Sequence, residues 1–457
     1  MNWIKKNIYY ILGILTVLFF FFGQGVMWYA FGGDTEAYYI SFSHHIEAKP
    51  LYPLFFHILN MIFGDGLYLY AAAVIQMLLA VCCIMLFVSY LGKQFHLELF
   101  SVFCVWVAAL LPFVLLLPED PIPHVLMTES FTYPLMYVYV IFILKGIYES
   151  RVKFLYVSGL FVALLTLIRG QMLFLTAVTL LAYFYHVIKN KEKSVKSALI
   201  FICFLLVCVW GESMLTKGYE KVFFNAPEQD YSAQTLVQKA LYCSQEDDGA
   251  LFDDEIEREI FEITYAGMME EQTTWLYSTG DLWDWKHITG SFGANSYRVH
   301  DAIEQVLTEH GMWSEDSLEQ ETIVLDYSRR LSNKLISAHP GRCLEVSFRM
   351  MPAGFVSTVL FHKASIYLLI HIATVFLYMA AVGVSIFVSK KGGCLLPETE
   401  YMMLIVITAS GNVVGSNLVH FGLQRYLAYT VGMFYVGGYL LVRRCFLLWK
   451  ERKVVRK

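Results

Sequence analysis

The sequence predicts an all-α integral membrane protein of about ten transmembrane helices, with interfacial helices and a mainly helical extracytoplasmic insert. Three observations predict it. Of 457 residues, 57% are hydrophobic and only 16% charged, with a mean hydropathy of +0.52, a composition that water-soluble domains do not have. Apolar runs of spanning length recur along the chain, and the basic residues gather in alternate loops. Lipid is therefore the solvent for most of this chain.

Runs of about 20 apolar residues fall at 8–30, 67–90, 97–117, 125–145, 197–215, 366–389, 401–419 and 427–447. The run 154–188 is too long for one span and has Arg169-Gly170-Gln171 at its centre, so it reads as two short helices meeting in a tight turn. The first run is longer than a signal-peptide core and ends in Phe31-Gly32-Gly33-Asp34 without a small-residue cleavage site, so it reads as an uncleaved first helix.

Basic residues then set the orientation. Lys5, Lys6, Lys93, Lys145, Arg151, Lys153, the lysines of 189–196, Lys390, Lys391 and the tail from Arg443 to Lys457 all fall on one side, which puts both termini in the cytoplasm. The segments 31–66, 118–124, 169–171, 216–365 and 420–426 fall on the other, and they are poor in Lys and Arg. The expected organisation is a transmembrane module over 1–215 with a catalytic first outer loop at 31–66, an acidic extracytoplasmic domain over 216–345, and a second transmembrane module over 346–457.

Because charges are segregated by compartment, the net charge of −5 says little about partners, and nothing points to nucleic acid. Ile256, Ile260 and Ile263, and then Ile303, Val306, Leu325, Leu331 and Leu335, carry helical periodicity through the insert. Its runs Glu246-Asp247-Asp248 and Asp253-Asp254-Glu255 read as a solvated face or, secondarily, a divalent-ion site. Most of the nine cysteines lie inside apolar runs as small hydrophobes, whereas Cys243 and Cys343 fall in the polar insert and could pair in an oxidising space.

Four clusters of ionisable residues lie near helix ends on the outer side, where a charge is by default a functional candidate. The first is Asp34-Thr35-Glu36, ahead of Tyr38, Tyr39, Phe42, His44 and Ile46 at the spacing of an amphipathic interfacial helix. Asp34 either caps that helix or accepts a proton from a hydroxyl. The second is Lys49-Pro50-Leu51-Tyr52-Pro53, ahead of a short apolar helix that carries His57. Lys49 either snorkels to the interface or holds a lipid phosphate.

Thr128-Glu129-Ser130 opens a helix, where an acid is favoured by the macrodipole. The fourth cluster sets Arg169 at the hairpin tip against Gln424-Arg425-Tyr426 between the last two helices. Guanidinium groups at this depth suit phosphate oxygens, and the other reading pairs Arg169 with a carboxylate such as Glu129. Gly411-Asn412 and Gly415-Ser416-Asn417 read as close helix packing.

In this order the clusters resemble the GT-C superfamily of membrane glycosyltransferases, which includes protein O-mannosyltransferases and aminoarabinose transferases acting on lipid A. The residues that carry the resemblance are Gly33-Asp34-Thr35-Glu36-Ala37-Tyr38, the Lys-Pro-x-Tyr-Pro-Leu element from Lys49 to Leu54, Thr128-Glu129-Ser130, Leu167-Ile168-Arg169-Gly170-Gln171, and Ala338-His339-Pro340-Gly341-Arg342-Cys343-Leu344. Two departures stand out: Thr35 separates the acids that the mannosyltransferases place side by side, and Gly170-Gln171 replaces the Pro-Glu of many relatives.

The resemblance implies an inverting transferase of the bacterial cytoplasmic (inner) membrane that takes a sugar from a polyprenyl-monophosphate donor to a glycan, lipid or protein acceptor. It makes Asp34 the base and Lys49, Arg169, Arg425 and Tyr426 the phosphate site. Glu36 or Glu129 would orient a sugar hydroxyl, a base or a divalent cation, and His44, Tyr52 and His57 are candidate acceptor or sugar contacts. The identity of any metal is left open. Two competitors remain: an envelope polysaccharide polymerase or ligase using diphosphate-linked glycans, and a lipid-linked sugar transporter or flippase. A transporter would place charges or broken helices near the midplane, and apart from Arg169 and the stretch Gly411-Asn412 and Gly415-Ser416-Asn417 the sequence shows none.

Overall fold

The computed structural model describes residues 2–22, 29–30, 49–115, 122–191, 194–224, 232–279, 285–360, 367–392, 395–419 and 424–455. Among them every named element is helical, and the one strand-like feature is an isolated bridge between Ala30 and Val125. The chain is an all-α integral membrane protein.

The membrane part begins with α1 (Asn2–Phe22), α2 (Leu51–Phe63), α3 (Tyr68–Gln94), α4 (Leu99–Leu115) and α5 (Glu129–Tyr148). It continues through α6 (Lys153–Ile168), α7 (Leu175–Lys189) and α8 (Val195–Phe224). Among the described residues seven helices are long and apolar enough to cross a bilayer, and Asn7–Phe22, Leu51–Phe63, Leu99–Leu115 and Lys153–Ile168 are shorter apolar helices. Each of the ten expected spans therefore has a helix, but three of them are shorter than a full crossing within the described residues. The fourth short helix, α2, is the one expected after Lys49. Gly64, at φ 71°, ends α2 in the left-handed region that glycine enters without a Cβ clash.

The insert holds α9 (Ser232–Tyr242), α10 (Glu255–Glu270), α11 (Trp285–Glu309) and α12 (Ser317–Ala338). Its apolar residues form a core of their own: Ile260, Ile303, Val306, Leu331 and Leu335 are buried there, with Ile256 and Ile263 packed against them. Two acids of the acidic runs have structural work. Asp254 accepts from the backbone N–H groups of Ile256 and Glu257 and so caps α10, while Asp248 pairs with His339 Nε2 at 2.7 Å.

The chain leaves the insert through α13 (Pro340–Ser357), with proline at the first helical position, where its missing N–H costs nothing. The remaining helices are α14 (Tyr367–Gly392), α15 (Pro397–Val419), the single turn α16 (Gln424–Leu427) and α17 (Val431–Val455). A buried lysine ties the insert to the bundle: Lys239 Nζ on α9 donates to the carbonyls of Asn417 and Leu418 at the end of α15, both at 2.8 Å, and to Ser347 Oγ at 3.0 Å. Cys243 and Cys343 are free and buried, and both belong to one small cluster with Tyr242, Ile288, Phe292, Val346 and Met350.

Candidate active site

The hairpin between α6 and α7 provides the frame. Helix α6 ends at Ile168, Arg169 is extended (φ −153°, ψ 115°), and Gly170–Phe174 form a 3-10 turn that leads into α7. That extended residue turns its guanidinium toward the start of α5. Arg169 Nη1 lies 2.8 Å from Glu129 Oε1 in an ion pair and donates to Thr128 Oγ1 at 2.8 Å. The Glu129 side chain is 1% exposed and that of Arg169 13%, so the carboxylate is stabilised by both the cation and the positive end of the α5 dipole.

The guanidinium also stacks over the ring of Tyr426, 4.2 Å from its centroid, an attraction between cation and aromatic face. Its Nε donates to Gln171 Oε1 at 3.2 Å. The Gln171 amide nitrogen in turn faces Asn412 Oδ1, Ser416 Oγ and the Tyr426 carbonyl at 2.7–2.8 Å. Asn412 donates to the same carbonyl at 3.0 Å. Gln171 thus fastens the hairpin tip to α15 and α16. Close approach here depends on glycine, since a Cβ at Gly411 or Gly415 would sit 3.3 Å from Phe174.

Lys49 reaches this turn from the other side. A Cβ at Gly170 would be 3.2 Å from Lys49 Cε, and Lys49 Nζ pairs with Glu212 Oε1 of α8 at 2.9 Å. Thr216 Oγ1 also donates to that oxygen, at 3.2 Å. The lysine side chain is 32% exposed against 7% for Glu212, so its ammonium is held at the rim of the cluster.

The loop before α5 closes the site. Ala30 N donates to His124 O at 3.1 Å, and Leu126 N donates to Ala30 O at 3.0 Å. Ser130 Oγ lies 2.5 Å from the carbonyls of Ile122 and Val125, and Gln76 donates to Val125 O at 3.1 Å. The segment 31–48 therefore leaves from Ala30, beside the start of α5, and returns at Lys49, beside Gly170.

Asp34, Glu36 and His44 lie outside the described residues, as does the interfacial helix expected there, and so does the side chain of Arg425. Of the rest, Lys49, Glu129, Arg169 and Tyr426 converge. The pairing of Arg169 with Glu129, one of two readings of that arginine, is the one formed. Tyr52 is 1% exposed, and its hydroxyl donates to Gln76 at 2.9 Å. His57 is half-buried further along α2.

Sequence reasoning missed Glu212, although a lone acid inside an apolar run was a signal. It also took Asn412 and Ser416 for packing alone. Among the described residues no group of three or more His, Cys, Asp or Glu gathers as a metal cage.

No family model matches the chain, and no curated protein matches it. Two solved structures are similar to it. One is the crystal structure of ArnT from Cupriavidus metallidurans bound to undecaprenyl phosphate, 13% identical, with a TM-score of 0.35 over 96% of this chain and 78% of that one. The other is the apo state of the same protein, 13% identical, with a TM-score of 0.33 over 95% and 78%. Scores of this size assign neither a fold family nor a chemistry.

Proposed function

We propose that the chain is an inverting glycosyltransferase of the bacterial inner membrane, moving a sugar from a polyprenyl-monophosphate donor to an envelope acceptor on the extracytoplasmic side. The observation that carries this reading is the meeting of Lys49, Arg169 and Tyr426 on one helical-hairpin tip, with Glu129 beneath. Such a cluster at the end of membrane helices suits a lipid phosphate, whose tail stays in hydrocarbon while its head meets cations.

The reaction needs few parts. Asp34 takes the proton of the acceptor hydroxyl as its oxygen attacks the anomeric carbon. The anomeric carbon–phosphate oxygen bond breaks, its electron pair departs on the phosphate, and a single displacement inverts the carbon. Lys49, Arg169 and Arg425 meet the charge that grows on the leaving phosphate, so no acid is required there. Glu129 fixes the direction of Arg169, and Glu36 orients a sugar hydroxyl, a base or a divalent ion.

Support for Asp34 comes from chain length. It follows Ala30 by four residues, a reach of at most about 14 Å of extended chain, and Ala30 is bonded to the loop that opens onto Glu129.

The test compares donors. Purified protein is incubated with polyprenyl-monophosphate sugars and with oligosaccharide diphospholipids, and the lipid monophosphate released from the first and the lipid diphosphate released from the second are measured. Turnover of monophosphate donors alone is expected. Turnover of diphospholipids alone would replace this reading with the polymerase, and sugar-lipid translocation without cleavage would replace it with a transporter.

A further inference from the structure

The far ends of α3 and α5 line a polar cavity that is open on one side. Sixteen residues separate Glu129 from Lys145 along α5, about 24 Å of helix, so this cavity is remote from the Arg169 turn. Its volume is about 630 Å³, and Tyr90, Lys93 and Lys145 line its polar part. Leu86, Val138 and Phe142 line the rest, and Leu86 is 57% exposed on the outer surface of the bundle.

The charges are unevenly matched. Glu149, also on the lining, is 3.9 Å from Arg151. Lys93 and Lys145 have no carboxylate at ion-pair distance among the described residues. Lys145 Nζ is instead held 5.8 Å from the Tyr90 ring centroid and 5.3 Å from that of Phe154, and the buried Tyr90 hydroxyl has no hydrogen-bond partner among the described residues. Just after α3, Arg443 of α17 donates to the carbonyls of Phe95 and His96 at 3.5 and 3.3 Å.

We propose that this cavity binds the phosphodiester of an anionic membrane phospholipid, with Lys93 and Lys145 on the phosphate and the acyl chain laid along Leu86, Val138 and Phe142. Basic pockets between membrane helices suit such headgroups. The apolar wall argues for a lipid over a free anion, because a soluble phosphate would bury it against nothing. A zwitterionic lipid brings its own cation and gains less from two lysines.

The experiment is native mass spectrometry of the purified full chain in neutral detergent, titrated separately with phosphatidylglycerol, phosphatidylcholine and inorganic phosphate. Retention of phosphatidylglycerol well above phosphatidylcholine is expected. Lys93→Gln/Lys145→Gln should reduce that retention roughly tenfold or more, at about a factor of five per lysine. Lys196→Gln, an exposed lysine at the start of α8, should leave it unchanged. The single variants Lys93→Gln and Lys145→Gln, checked for a wild-type thermal transition, keep the test decisive if the double variant fails to fold. Equal retention of the two lipids, or no loss in the lysine variants, overturns the proposal. So does a lysine-dependent site that takes inorganic phosphate and not phosphatidylglycerol.

Discussion

Arg169 and Glu129 form an ion pair at 2.8 Å where α6 ends and α5 begins, with the carboxylate 1% exposed. Breaking one side of such a pair leaves a buried charge uncompensated, which costs about 3–5 kcal/mol, more than a conservative loss of both partners. Arg169→Ala should therefore destabilise the protein more than Arg169→Ala/Glu129→Ala does. Thermal unfolding in detergent of the two single variants and the double variant checks this, and strict additivity would show that the residues act independently.

The pair between Lys49 and Glu212 holds the ammonium at the rim of the site. Glu212→Gln removes its competitor, so binding of polyprenyl phosphate should be retained or tightened a few-fold, whereas Lys49→Met should weaken it about tenfold. Lipid-phosphate titration of both variants reads this difference. Weakening by Glu212→Gln as large as that by Lys49→Met would make the pair a structural strut.

Gln171 joins Arg169 to Asn412, Ser416 and the Tyr426 carbonyl. Gln171→Ala leaves buried polar groups without their donor, at about 1–3 kcal/mol, and releases the orientation of the guanidinium. Turnover should fall further than donor affinity, which separate measurements of kcat and KM resolve.

These contacts also mark what the sequence could tell. Hydropathy located every apolar helix, and Arg169-Gly170-Gln171 marked the hairpin tip because a polar turn interrupts one long apolar run. Glu129 and Arg169 were legible as unusual charges at helix ends. Their partners were less so. Lys49 meets Glu212 across 163 residues and Gln171 meets Asn412 across 241, separations that no local period encodes. The bond from Tyr52 to Gln76 is hidden for a related reason: a tyrosine near a helix end looks the same in sequence whatever its hydroxyl meets.

Cys243 and Cys343 are separated by a hundred residues of chain, yet both are buried in one cluster. The Cys243 thiol and the nearby Lys239 and Arg342 cations lower the pKa of Cys343, against the effect of burial. Treatment with diamide, a two-electron thiol oxidant, should join the pair with loss of both thiol hydrogens and stabilise the insert by several kcal/mol in the chain-entropy model. Peptide mapping checks the bond. Cross-links involving other cysteines in its place would contradict the arrangement.

Burial lowers the pKa of Lys239 from 10.5 to about 8, with Cys243 and Cys343 opposing the shift. Below about pH 8 both folded and unfolded chains hold the proton. Between about 8 and 10.5 the unfolded chain holds more of it, so this residue makes stability rise with pH across that window. The difference in thermal stability between wild type and Lys239→Met should therefore shift in favour of wild type as the pH is raised, and a difference independent of pH would mean that the lysine is not desolvated.

The most direct measurement of the central claim is release of free polyprenyl phosphate from a labelled polyprenyl-monophosphate sugar by wild type and by Asp34→Asn, each first shown to be folded and to bind the donor. The account predicts release by wild type and a loss of at least about a hundredfold in the variant. Release at the wild-type rate by folded Asp34→Asn would contradict it.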